Sequence, residues 1–177
     1  MPRNDSGYSI YELLLTLVLI GILASLGLPA FSTTLAKSRQ TSEINALFHA
    51  VHLARKESIR RREVMTVCAS KDGLSCGPAR DWSVGWILFN NADRDSPPQV
   101  DPGESVVLAH RVTETVEVKA NRRSFTLRAT FRRATNGTLV FCDRHARVPA
   151  KALVVSYTGR PRVATERVDG APFSCAD

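Results

Sequence analysis

The chain has 177 residues, 23% of them charged and 44% hydrophobic. That is the composition of a single globular domain and excludes disorder, collagen and coiled-coil rod. Lys and Arg number 24 against 17 Asp and Glu, which disfavours an acidic metal buffer, and four histidines are too few for a His-rich metal site. The net charge of +7 is unevenly placed. Residues 1–119 hold equal numbers of acids and bases, while residues 120–177 hold eleven bases, ten of them Arg, against four acids. Such a block fits a polyanionic partner, because guanidinium grips phosphate with a planar fork, or it simply solvates a face.

Residues 13–31 carry no charge and are long enough to span a bilayer. A secretory signal would need a more basic start and a shorter apolar run. A plain anchor is the second alternative, with Arg3 on one side and Lys37 and Arg39 on the other giving no clear orientation. Glu12 is the single acid at the edge of the apolar segment, where a carboxylate is costly without a partner.

Residues 32–62 contain neither Pro nor Gly. Ile44, Leu47, Phe48, Val51, Ala54 and Ile59 recur at three- and four-residue spacing, which predicts an amphipathic helix. Its polar side would carry Lys37, Arg39, Glu43, Arg55, Lys56, Glu57 and Arg60. Gly21, Gly27 and Pro29 mark expected bends. The run Arg60-Arg61-Arg62 suits a helix C-terminus, where cations complement the dipole. His49 and His52 lack a third metal ligand nearby.

Beyond residue 62 the period becomes that of strands. Strands are predicted over 64–69, 85–90, 105–110, 115–120, 124–132, 138–142 and 152–157. The fifth alternates cleanly, with Phe125, Leu127, Ala129 and Phe131 on one face. Asn136-Gly137 reads as a two-residue hairpin turn into the sixth. Residues 93–103 and 160–175 read as loops. The fold class is therefore α+β, a long N-terminal helix packed on an antiparallel sheet domain. Trp82 and Trp86 are expected in the core rather than in a sugar site. No nucleophile–base pair, phosphate-cradling loop or metal cluster is evident, so no catalytic residue and no cofactor is expected.

Gly7-Tyr8-Ser9-Ile10-Tyr11-Glu12 resembles the prepilin cleavage motif of type IV pilins and type II secretion pseudopilins. Glu12 is fifth and Pro29 twenty-second counting from Tyr8, as in that family, although Tyr8 stands where Phe or Met is commoner. The resemblance implies cleavage after Gly7 by prepilin peptidase, methylation of the Tyr8 amine, and pairing of Glu12 with such an amine in the filament. It also implies a leader over 1–7, a transmembrane half over 8–31, an amphipathic half over 32–62 and a β-rich domain over 63–177. The protein would begin in the inner membrane, with its domain periplasmic, and join other pilins or pseudopilins in a filament.

Thr66-Val67-Cys68, Cys76, Trp82 with Gly85-Trp86-Ile87-Leu88-Phe89, Phe141-Cys142-Asp143 and the ending from Ser156 to Arg162 are similar to the FimT/FimU minor pilins and GspH-type minor pseudopilins. The oxidising compartment that this implies favours Cys68–Cys76 and Cys142–Cys175 over the other two connectivities. Gly159-Arg160-Pro161-Arg162 resembles the G-R-x-R motif of FimT-type pilins. That resemblance implies non-specific binding of double-stranded DNA by Arg160 and Arg162 during natural transformation, with Arg144, Arg147, Lys151 and Arg167 widening the patch. The alternative is a structural subunit that primes filament assembly without touching DNA.

Overall fold

A computed structural model describes residues 9–129 and 134–175. Gly7, Tyr8, Phe131 and Arg132, singled out above, lie outside these residues. Helix α1 (Ile10–Arg61) opens with Ser9, whose Oγ accepts the Tyr11 N–H at 3.3 Å. Glu12 sits in the first turn, where a carboxylate complements the helix dipole. Pro29 lies inside the helix. After it, Ser32 and Thr33 donate their hydroxyls back to the Pro29 carbonyl and Thr34 to that of Ala30. These bonds engage backbone acceptors locally.

The chain divides into two units, one through Leu35 and one from Ala36 onward. In the first, large apolar side chains stand open; Leu23 is 70% exposed and Phe31 68%. The helix is long and apolar enough there to cross a membrane, by length and composition.

In the second unit, α1 buries Ala36, Gln40, Ile44, Leu47, Ala50, Val51, Ala54 and Ser58. Two expectations for this helix need correction. Ile59 is 55% exposed, because Ser58 continues the buried stripe from Ala54 and leaves its neighbour turned outward. Glu43, assigned to the polar side, is buried. His110 Nε2 lies 2.7 Å from its Oε2, and the Thr113 N–H and hydroxyl both donate to its Oε1. Burial pushes the Glu43 carboxyl up, but these hydrogen bonds outweigh it and leave it below its ordinary value. Gln40 Nε2 donates to the carbonyls of Phe141 and Pro149, so α1 is tied to the domain by polar contacts at two levels.

The helix ends as Arg60 and Arg61 both bond Glu57, and Arg62 turns with φ +59°. Eight strands follow, β1 (Met65–Ala69), β2 (Gly85–Asn90), β3 (Val106–Arg111), β4 (Val116–Ala120), β5 (Ser124–Leu127), β6 (Gly137–Asp143), β7 (Lys151–Val155) and β8 (Pro161–Ala164). They form two antiparallel sheets, ordered β3-β2-β1-β5 and β4-β6-β7-β8. One core joins the inner faces of both sheets to α1, through Leu47, Val51, Trp82, Trp86, Phe125, Leu127, Leu139, Phe141 and Leu153 among others. Trp82 and Trp86 are both core residues, and Trp82 Nε1 donates to the Arg122 carbonyl.

Three further corrections concern the strands. Asn136-Gly137 is no hairpin turn, since β5 pairs with β1 in one sheet while β6 pairs with β4 and β7 in the other. Gly137 is needed for close approach instead. A β-carbon there would stand 2.5 Å from Asn121 Oδ1 and 2.9 Å from Arg122 Cγ. β5 stops at Leu127 rather than running on. The segment 160–175, expected as loop, begins with β8. Pro161 is the first residue of that edge strand, a sheet position where a missing N–H costs no ladder bond.

Cys68 is joined to Cys76 and Cys142 to Cys175. The second bridge spans 33 residues, a closure that chain-entropy reasoning values at about 3–4 kcal/mol. Cys142 pairs with Glu117 on the outer face of its sheet, so the bridge draws the C-terminal segment across that face. There Lys119 Nζ donates to the Cys175 carbonyl.

Candidate nucleic-acid interface

The β7–β8 hairpin presents the Gly-Arg-Pro-Arg sequence. Ser156 N–H donates to the Arg160 carbonyl, and Gly159 N–H to that of Ser156. Ser156 Oγ accepts the Arg160 N–H at 3.2 Å and lies 2.8 Å from Thr158 Oγ1. Gly159 has φ +70°, a conformation side-chain-bearing residues resist. A β-carbon on it would also crowd Leu127 Cδ2 at 3.1 Å and an Arg55 guanidinium nitrogen at 3.3 Å. Pro161 is buried opposite Val155. Arg160 and Arg162 flank it and are exposed. Two residues apart in extended chain, they point the same way, separated by about 6.6 Å of strand rise. Among the described residues neither guanidinium has a hydrogen-bond or ion-pair partner.

Of the other expected cations, Arg144, Arg147 and Lys151 lie elsewhere, whereas Arg167 adjoins Arg162. Lys151 opens β7 opposite Phe141, and Arg144 follows β6 with its N–H on the Thr115 carbonyl. Both are at the far end of the sheet from the hairpin turn, roughly five residues or 16 Å along β7. Arg147 is committed internally. Its Nε and a terminal nitrogen donate to Asp143 at 2.9 and 2.7 Å, and its N–H adds a third bond at 3.0 Å. The guanidinium holds the buried Asp143 carboxyl down at about 2. Arg167 sits in a turn past β8, its N–H on the Ala171 carbonyl. It shares with Arg162 and Lys119 a cavity of about 560 Å³ beside the C-terminal segment, lined also by Val140, Val154 and Phe173.

Arg55 was unforeseen at this place. Periodicity put it on the polar side of α1, and no local signal could have set it beside Gly159. The structure also gathers Arg94, Arg122, Arg123 and Arg128 around a second cavity of about 260 Å³. For these, the block of positive charge after residue 120 was the available clue, but Arg94 lies outside it. Asp93, Asp95 and Asp101 bring carboxylates within 4.8 Å of one another. They are an exposed loop cluster in which burial and the neighbouring acids Asp93, Asp95 and Glu104 push Asp101 up. His49 and His52 line the exposed side of α1 around Phe48.

A family model described as type II transport protein GspH matches residues 43–159. No curated protein sequence matches the chain. Among solved structures, the chain is similar to the type IV minor pilin FimU of Pseudomonas aeruginosa PAO1 in two crystal forms. One gives 22% identity and a TM-score of 0.51, the other 20% and 0.53. These cover 78% of this chain and 98% and 96% of the FimU chains. The minor pseudopilin EpsH from the Type 2 Secretion System of Vibrio cholerae is similar at 10% identity and TM-score 0.51, covering 71% of this chain and 96% of that one. At these identities the likeness is one of fold.

Proposed function

This chain belongs to the GspH family, and from that premise we propose that it is a minor pilin whose Arg160 and Arg162 hold double-stranded DNA without regard to sequence. The coarser assignment stands by itself. The chain is a minor pilin or pseudopilin of the type IV pilus or type II secretion kind, and its family and fold are those of structural filament subunits. In the proposal, prepilin peptidase cuts between Gly7 and Tyr8, the new amine is methylated, and α1 anchors the subunit in the inner membrane until assembly. Glu12 then pairs with the amine of a neighbouring subunit, since a carboxylate in an apolar filament core needs a cation. The exposed domain meets DNA taken up in transformation.

The observation that carries the DNA reading is the pair Arg160 and Arg162, exposed and unpartnered around a buried proline on a tightly bonded hairpin. The bonded hairpin fixes the backbone from which both side chains reach, so only side-chain freedom is lost when a guanidinium grips a phosphate. Contacts of this kind go to the backbone, so binding should weaken steeply with salt. Fluorescence anisotropy of a labelled duplex, titrated with the full chain in detergent at two salt concentrations, tests this beside Arg160→Gln/Arg162→Gln. Salt-sensitive binding that collapses in the variant supports the proposal. No binding at low salt by the folded protein would leave a subunit that primes assembly without DNA.

A further inference from the structure

The loop between β2 and β3 carries negative charge that the fold leaves unpaired. Asp93, Asp95 and Asp101 each bring a carboxylate oxygen within 4.8 Å of the others. Arg94, Arg122 and Arg123 line the cavity beside Asp95, yet among the described residues none of them forms an ion pair with any of the three acids. Glu104 clasps the loop and adds a fourth acid. Its Oε1 accepts the Ala92 N–H at 2.6 Å and its Oε2 the Asp101 N–H at 3.1 Å. Asp93 and Asp101, at opposite ends of the loop, are thereby drawn together. Burial and repulsion from Asp93, Asp95 and Glu104 push the Asp101 carboxyl up. Carboxylates crowded in this way repel one another, and a cation among them reverses the sign of that interaction.

A second observation, independent of the acids, points to a ligand. Asn91 is 1% exposed, and its carboxamide reaches into the cluster, with Nδ2 2.8 Å from Asp95 Oδ1. The oxygen of the same carboxamide is buried without a hydrogen-bond partner. A buried acceptor with no donor is unfavourable, and such groups are rare. A half-turn of the carboxamide about its Cβ–Cγ bond sets Oδ1 where Nδ2 stands, facing Asp95 as one more oxygen ligand.

The donor set is three carboxylates and an amide carbonyl, all hard oxygens, with neither nitrogen nor sulfur. Oxygen ligands stand about 2.3–2.6 Å from calcium, so those on one ion lie no more than about 5 Å apart, a limit the three carboxylates meet. Magnesium needs a near-ideal octahedron, whereas calcium accepts the irregular geometry that a loop offers. We propose that Asp93, Asp95 and Asp101, with the carboxamide oxygen of Asn91, form a calcium site in the loop between β2 and β3. Water completes the coordination. Asn91 directly follows β2, and its N–H is bonded to the Val64 carbonyl, so the ion ties the loop to the end of the first sheet. The neighbouring arginines weaken binding, which places the affinity in the range of extracellular modules, on the order of 0.1–1 mM. The site is independent of the DNA-binding reading.

The test uses the full chain in detergent, freed of metal with a chelator, beside Asp93→Asn/Asp101→Asn. Both substituted side chains are exposed, and removing their charge relieves repulsion, so the variant should unfold at or above the parental temperature in chelator. Calcium chloride titrated by calorimetry should give one saturable site in the parent and at least tenfold weaker binding in the variant. At about 10 mM calcium the parental thermal midpoint should rise by a few degrees, against sodium chloride of matched ionic strength, and the variant's should not. Asn91→Leu should also weaken calcium binding, which separates a ligand role from a general effect of negative charge. Absence of calcium binding by the folded parent, or an equal response in Asp93→Asn/Asp101→Asn, would overturn the site. An equal response of the parent to magnesium would overturn its assignment to calcium.

Discussion

The two ends of the second sheet carry cations of the same kind in opposite states. At the far end Arg147 is locked to Asp143 by three hydrogen bonds. At the hairpin end Arg160 and Arg162 stand exposed around a buried proline. Sequence distance treats them alike, as members of one basic block. The difference teaches that a count of arginines measures charge, whereas recognition depends on which guanidiniums the fold leaves unspent.

The largest effect should come from breaking the locked pair. Asp143→Ala leaves Arg147 without its carboxylate in a site where the aspartate is buried, and removes the acceptor for the Arg147 N–H. We expect a loss of about 2–3 kcal/mol in urea denaturation, with DNA affinity little changed. Arg160→Gln/Arg162→Gln should do the reverse, lowering DNA affinity tenfold or more while leaving stability within about 0.5 kcal/mol. Gly159→Ala lies between them. It forces a side chain into φ +70° against Leu127 and should cost about 1 kcal/mol, with a smaller fall in affinity as Arg160 is displaced.

Acid sharpens the same contrast. The Asp143 carboxyl is held at about 2 in the folded protein, below its ordinary 3.8. A depressed folded value means that its stabilisation is complete above the unfolded value and is lost as pH falls from about 4 toward about 2. Asp143→Asn should flatten that part of the pH–stability curve, measured by thermal unfolding, whereas Arg160→Gln/Arg162→Gln should not alter it. Glu43 acts in the same direction, so the double variant Glu43→Gln/Asp143→Asn should flatten it further. The smallest effect is expected for Arg144→Gln/Lys151→Gln, within about twofold of parental DNA affinity, because both residues lie at the end of the sheet away from the turn.

Much of the framework could be read from local pattern. Three-to-four-residue spacing from Ile44 to Ala54 announced the buried stripe of α1, and the strand period located β1, β2, β3, β4, β6 and β7 within a residue or two. These succeed because a helix or strand face is set by neighbours a few residues away. The uncharged run that opens α1 was equally plain, since spanning length and lack of charge are properties of the segment itself.

What failed locally was decided by partners distant in the chain. β8 was hidden because Pro161 argues against a strand until its place at a sheet edge is known. Asn136-Gly137 looked like a hairpin turn, but β5 and β6 enter different sheets, and the glycine answers instead to Asn121 and Arg122. Glu43 reads as a solvated charge until His110 and Thr113, some seventy residues on, close around it. In the basic region, the sequence by itself determined the excess of arginine and the Gly-Arg-Pro-Arg order that sets two of them on one side of a strand. Only the tertiary structure decided that Arg147 is consumed by an ion pair, that Arg55 and Arg94 join from outside the block, and that Arg144 and Lys151 sit at the other end. The physical reason is that an ion pair or a charged cavity is made by groups within a few ångströms in space, and chain order constrains such distances only over a turn of helix or a few residues of strand.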